Sequence, residues 1–101
     1  CHGAQGGGQP DWRATGPDGC YPAPPHDASG HTWHHSDGDL FRTVKHGGAS
    51  LNIPGFKSCM PAFEDRLNDD EIKAVLAHFK TFWGERELDF QTEVSRYDPA
   101  P

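Results

Sequence analysis

The sequence is short of apolar residues and of positive charge. Hydrophobic residues make up 34% of the 101 positions, and no stretch approaches the roughly 18 to 20 continuous apolar residues of a membrane-spanning helix. Nine Lys and Arg residues are outnumbered by fifteen Asp and Glu residues, which gives a net charge of -6 and argues against a surface for DNA or RNA. We therefore expect one domain with a thin core, no nucleic-acid partner and no membrane-spanning segment in this chain.

Signatures of a catalytic site are missing as well. The glycines that follow Ala4 lack the strand-then-helix context of a dinucleotide-binding loop. The acidic run at positions 69–71 suits the first turn of a helix, and Cys1 beside His2 has no third group to orient a nucleophile. We therefore expect a protein without its own catalytic site.

Cysteines are few, and their number is odd. Cys20 and Cys59 either form a disulfide in an oxidising compartment or remain two separate buried thiols, and Cys1 is left beside His2. Twelve glycines and nine prolines indicate a loop-rich chain. A small domain of this kind needs disulfides, a metal or a large cofactor to complete its centre.

Three helices are predicted from local signals. The first runs from Asp37 to about His46, because Ser36 is a suitable cap and Gly47 a stop. The second runs from residue 69 to about 83 behind Asn68, with an apolar residue every three or four positions. The third covers 85 to about 97, and 98–101 should fray. Residues 1–36 read as an ordered loop, and 49–63 as a second loop.

The first two residues match the end of a haem-attachment motif. In C-x-x-C-H two thiols add to the haem vinyl groups and the histidine binds the iron; this chain opens with the last two letters, Cys1-His2. Three further blocks follow in order, namely YPAPPH at 21–26, SGHTWHH at 29–35 and MPAF at 60–63. With these blocks the chain resembles class I c-type cytochromes, in particular small bacterial monohaem cytochromes, over nearly its whole length.

The resemblance implies an all-α, cytochrome c-like fold with long ordered loops around one haem. It implies a single domain over 1–101, with 84–101 as a C-terminal extension, that carries electrons on one covalent haem c. Cys1 would form a thioether, His2 would be the proximal iron ligand and Met60 the distal one. A larger redox complex such as an oxidase or dehydrogenase would be the partner, in the periplasm or facing the membrane outside the cytoplasm.

Two further residues are candidates for the surroundings of the haem. The second ring nitrogen of His2 should donate to a backbone carbonyl of the proline turn, supplied by Pro22 or Pro24; Pro24 is kept among the candidate site residues. In the resembled family Trp33 would lie near the haem edge, where its indole N–H could meet a propionate. A simple core tryptophan is the alternative for Trp33.

The same resemblance predicts a missing element. In class I cytochromes a helix precedes the haem motif and packs on the closing helix, so the chain is expected to lack that helix and to begin at the second motif cysteine. It should then bind haem through at most one thioether and fold poorly. It should also expose an apolar stripe formed by Ile72, Val75, Leu76 and Phe79.

Two other functions compete with electron transfer. Met60 and the histidines of the loop suit a copper- or zinc-binding module; these histidines are His26, His31, His34 and His35. Alternatively, Cys1 is the lipid-modified first residue of a bacterial lipoprotein, and the rest is an interaction domain.

Overall fold

The computed structural model describes residues 1–48 and 58–101. These residues contain three α-helices, α1 (Asp37–His46), α2 (Asp69–Lys80) and α3 (Glu85–Ser95), together with a 3-10 turn at Thr32–His34. Because the described residues form no strand, the predicted all-α class is confirmed. Within the same part of the chain, no helix has both the length and the apolar character needed to cross a membrane.

Helices α1 and α2 begin where their side-chain caps predict. The hydroxyl of Ser36 accepts the backbone N–H of Asp39 at 3.1 Å and starts α1. At α2 the side chain of Asn68 accepts the N–H of Glu71 at 2.8 Å, while the Glu71 carboxylate accepts the N–H of Asn68 at 2.9 Å. This reciprocal pair satisfies two N–H groups that would otherwise lack partners. Gly84 starts α3 without a side-chain cap.

Two of the three helix ends differ from the expected ones. Gly47 ends α1 as predicted, with a φ of 83°. Helix α2, however, ends at Lys80 and not at Trp83. The backbone N–H groups of residues 81–83 donate to carbonyls three residues earlier, as in a 3-10 turn, and not four residues earlier. Helix α3 ends at Ser95, two residues before the expected 97, and there the N–H of Arg96 donates to the carbonyl of Glu93, three residues earlier.

The core lies between α1 and α2. Its buried apolar side chains are Leu40, Phe41, Val44, Ile72, Leu76 and Trp83. The expectation of an exposed stripe on α2 is therefore wrong for Ile72 and Leu76, which are 0% and 4% exposed. Helix α1 covers them, whereas Val75 and Phe79 are half-buried.

The C-terminal residues are fixed, contrary to the expected fraying. The carbonyl of Asp98 accepts the N–H of Gly38 at 2.8 Å, and its carboxylate accepts the Ser36 hydroxyl, also at 2.8 Å. Arg42 adds an ion pair to the same carboxylate, and Ala100 packs against the core. The end of the chain is thus seated at the start of α1.

Helix α3 is attached by a polar residue. Gln91 is 1% exposed, and its side-chain amide donates to the carbonyl of His35 at 3.2 Å and to the carboxylate of Asp37 at 2.7 Å. Lys80, at the end of α2, also pairs with Asp37 at 3.2 Å. The entry to α1 is therefore held by both of the other helices.

The N-terminal loop folds back on itself. Gln9 donates to the carbonyl of Ala23 at 3.0 Å, and His26 donates to the carbonyl of Gly6 at 2.7 Å, so the first residues lie beside the proline-rich segment. Gly8 allows this approach: its φ is +75°, and a Cβ there would lie 2.5 Å from the nitrogen of Pro25. These hydrogen bonds give the loop a defined path that positions His2.

Candidate functional site

The ring of His2 is fixed by the proline turn. Its Nδ1 lies 2.7 Å from the carbonyl oxygen of Pro24, the type of contact expected from the sequence. Because a carbonyl oxygen only accepts, Nδ1 must carry the proton. In the neutral ring, Nε2 then carries the lone pair that a metal can bind.

Two further rings continue from His2 to the core. The ring centroids of His2 and His26 are 3.9 Å apart, and His26 stacks on Phe79 of α2 at 4.1 Å. Phe79 itself packs against the core cluster. The carbonyl of His26 accepts the indole N–H of buried Trp83 at 2.6 Å. His2 is therefore supported from α2 through an intervening histidine.

Burial keeps both imidazoles neutral. Burial first, and then the charge interaction with His2, lower the pKa of His26 from 6.5 to about 4 against the opposing effect of Asp27. Burial also lowers the pKa of His2, although the hydrogen bond to Pro24 acts in the opposite direction. At neutral pH the His2 ring is thus in the form that binds metals.

Met60 lies on the other loop and is held by its backbone. Its side chain is half-buried and packs against the core cluster. Its N–H donates to the hydroxyl of Ser58 at 3.3 Å, and its carbonyl accepts the N–H of Gly48 at 3.1 Å. The predicted loop around it is non-helical over residues 58–63, whereas residues 49–57 lie outside the described part.

A disulfide joins the two loops beside these residues. Cys20 and Cys59 are bonded, with Cα atoms 5.8 Å apart, a normal separation for a disulfide. This outcome decides between the bridge and the two separate thiols that the sequence allowed. Cys59 immediately precedes Met60, and Cys20 opens the segment that leads to Pro24. The bridge therefore ties the loop of Met60 to the loop that orients His2.

Another group of ligand atoms lies at the same disulfide. The carboxylate of Asp18 is within 4.8 Å of both sulfurs, and it accepts the backbone N–H of Cys20 at 3.0 Å. Metals bind thiolates, and bonded sulfurs offer none. In this form the group is a turn beside a disulfide and not a cation site.

Trp33 is engaged within the protein. Its indole N–H donates to the carbonyl of Ala28 at 3.2 Å, and its ring packs against the core cluster. These contacts agree with the alternative assignment of Trp33, in which it is a tryptophan of the core. Contact with a haem propionate stays a prediction.

The four clustered histidines have different surroundings. His26 points inward, with Nδ1 2.6 Å from the hydroxyl of Thr32. His35 pairs with the exposed carboxylate of Asp39 at 3.4 Å. His31 and His34 lie side by side on the surface, with ring centroids 5.4 Å apart. The structure thus brings together two of the four.

Cys1 is exposed and is a free thiol. It directly precedes the oriented His2 in the sequence and does not belong to the core cluster of the described residues. No known protein family, curated protein or solved structure matches this chain. The function is therefore inferred from the geometry of the site.

Sequence reasoning missed the contribution of His26. Its position directly after Pro25 was the available signal, because a rigid proline places the next residue close to the turn that holds His2. The contacts with Phe79 and Trp83 join residues more than fifty positions apart. No local sequence pattern predicts these contacts.

Proposed function

We propose that this protein is an electron carrier with one covalently bound haem c, in which His2 and Met60 bind the iron and Cys1 forms a thioether. The observation that carries the proposal is the 2.7 Å hydrogen bond from His2 Nδ1 to the carbonyl of Pro24. It selects the tautomer with a free Nε2 and holds the ring by a rigid segment. Such support is typical of histidines that bind metals.

The donor set fits this group. A neutral imidazole and a soft thioether are the ligands of cytochrome c iron, and the free thiol that a thioether requires stands beside the imidazole. When bound, haem iron with these two ligands supplies one-electron transfer without an open coordination position. Pro24 holds one ligand, and the backbone contacts of Met60 hold the other. The protein frame therefore has little to rearrange when the charge of the site changes.

The fold and the environment of the chain support the same proposal. The three helices and long loops of residues 1–48 and 58–101 suit a cytochrome c-like fold. We propose that 1–101 form one domain, with 84–101 as its extension, because α3 and Asp98 are bonded to the start of α1. The Cys20–Cys59 bridge favours an oxidising compartment, hence the periplasm or a position facing the membrane outside the cytoplasm. With a net charge of -6, the carrier would dock on a basic face of a larger redox complex, such as an oxidase or dehydrogenase.

Visible absorption tests the proposal. The full chain is produced in a host competent in cytochrome maturation, and a sharp α-band on reduction is expected. The Met60→Ala variant should keep the haem and lose the sulfur-to-iron charge-transfer band of the oxidised form, whereas the exposed control His35→Ala should keep both. A colourless protein of full length would contradict haem binding, and a persistent charge-transfer band in Met60→Ala would contradict the ligand assignment. The position of the pyridine haemochrome band then tests the expectation of at most one thioether.

A further inference from the structure

A second site lies on the surface of the 3-10 turn. His31 precedes the turn and His34 closes it, and the N–H of His34 donates to the carbonyl of His31 at 3.0 Å. Side chains three residues apart eclipse each other in a 3-10 helix. The two imidazoles consequently project from the same face, with ring centroids 5.4 Å apart and planes inclined by 35°.

Both rings have their nitrogens available. Each side chain is exposed, and neither ring forms a hydrogen bond or ion pair with the described residues. A metal ~2.1 Å from one nitrogen of each ring requires those nitrogens to lie roughly 3 to 4 Å apart. Rings whose centroids are 5.4 Å apart meet that requirement when their nitrogens face each other.

Aromatic neighbours hold the rings in place. Trp33 stacks on His34 at 3.8 Å, and Phe90 of α3 meets the same ring edge-on at 5.5 Å. Trp12 lies edge-on to His31 at 6.1 Å. Since these contacts restrict the rotamers before any ligand arrives, less conformational entropy is lost on binding than for two unsupported surface histidines.

We propose that His31 and His34 form a two-imidazole chelate for a divalent d-block cation, with Zn²⁺ as the probe. Imidazole is a favoured ligand of such ions, and water completes the coordination at this open surface. The chelate is separate from His2 and Met60, so it does not depend on the proposed haem.

Site-resolved NMR tests the proposal. Zn²⁺ is added to the full chain with ¹⁵N-labelled histidine, and the ring nitrogens are followed. The nitrogens of His31 and His34 should shift together, at a lower Zn²⁺ concentration than those of His35 and His46, which are exposed controls. Replacement of His31 by Ala should weaken the response of His34 at least about tenfold, equivalent to ~1.4 kcal/mol, and the reciprocal variant should do the same to His31.

Each outcome decides for or against the chelate. Independent shifts of the two rings, a response no earlier than that of His35 and His46, or an unchanged His34 response in His31→Ala would overturn it. The wild-type titration needs no variant, so the proposal stays testable if a substitution disturbs the fold. Zn²⁺ binding at the Cys1 and His2 end of the chain is seen separately through the His2 ring.

Discussion

Removal of the Cys20–Cys59 bridge should destabilise the protein strongly. The bridge links residues 39 positions apart, and the chain-entropy relation for a loop of that length gives about 4 kcal/mol at 25 °C. Small domains are commonly stable by only ~5 to 15 kcal/mol. The loss should therefore lower the melting temperature by on the order of 20 °C.

The double variant Cys20→Ala/Cys59→Ser makes this measurement clean. Alanine suits Cys20, which is 4% exposed, because it buries no new hydroxyl, whereas serine suits the exposed Cys59. Urea unfolding should show a lower free energy of unfolding together with a higher m-value, since the unfolded chain without the cross-link exposes more surface. In the haem-free chain, the control Cys1→Ser removes the exposed free thiol and should leave both quantities unchanged.

Counting the reactive thiols shows whether a small change in the free energy of unfolding reflects a weak contribution of the disulfide or its absence. Under denaturing conditions the haem-free parent should react with a thiol reagent at Cys1 alone, and at all three cysteines after reduction. A loss below about 1 kcal/mol with the bridge demonstrably present would refute the entropic reasoning. Three reactive thiols before reduction would refute the bridge.

Three other changes test the packing and the charge network. Gly8→Ala forces a positive φ on alanine and should cost about 1 to 3 kcal/mol in urea unfolding. Gly7→Ala places a Cβ 4.0 Å from the carboxylate of Asp27, an ordinary contact distance, and should stay within about 0.5 kcal/mol; equal effects would contradict the account of the loop. Trp83→Phe removes the indole donor to a main-chain carbonyl and should cost about 1 to 3 kcal/mol at unchanged m-value; a neutral result would count against that bond. Hydrogen bonds from Arg42 and Ser36 lower the pKa of Asp98 from 3.8 to about 2, so its contribution is complete above pH 4 and lost as the pH falls toward 2. The melting temperatures of the parent and Asp98→Asn should differ at pH 6 and converge at pH 2, and a constant difference would show that the charge is not responsible.

The sequence predicted what is decided locally. Helix starts at Asp37 and Asp69 depend on a cap and on the residues directly behind it, so both were found. The end of α2 was missed, because Trp83 continues the apolar spacing yet belongs to a turn whose indole reaches His26. Periodicity reports which face is apolar and not where the backbone leaves the helix.

Contacts between distant residues could not be predicted. Asp98 was expected to fray because nothing near it in sequence restrains it, and its partners lie on α1. The apolar stripe of α2 gives no sign of which element packs on it, and α1 covers Ile72 and Leu76. For the candidate site, the sequence indicated His2 with a proline carbonyl, but the role of Phe79 requires the folded chain.

Helix α3 is fastened by a side chain that is fully buried and polar. The Gln91 amide gains little from leaving water unless both of its hydrogen bonds form. The helix is consequently fixed in register by a polar group, while its apolar contacts, Leu88 against the core and Phe90 against Trp33, involve side chains that are not fully buried. In native-state hydrogen exchange we expect α3 to open as a separate unit, at a lower free energy than the amides of α1 and α2. The start of α1 would then transiently lose its bonds to Gln91 and keep the ion pair of Asp37 with Lys80, without global unfolding.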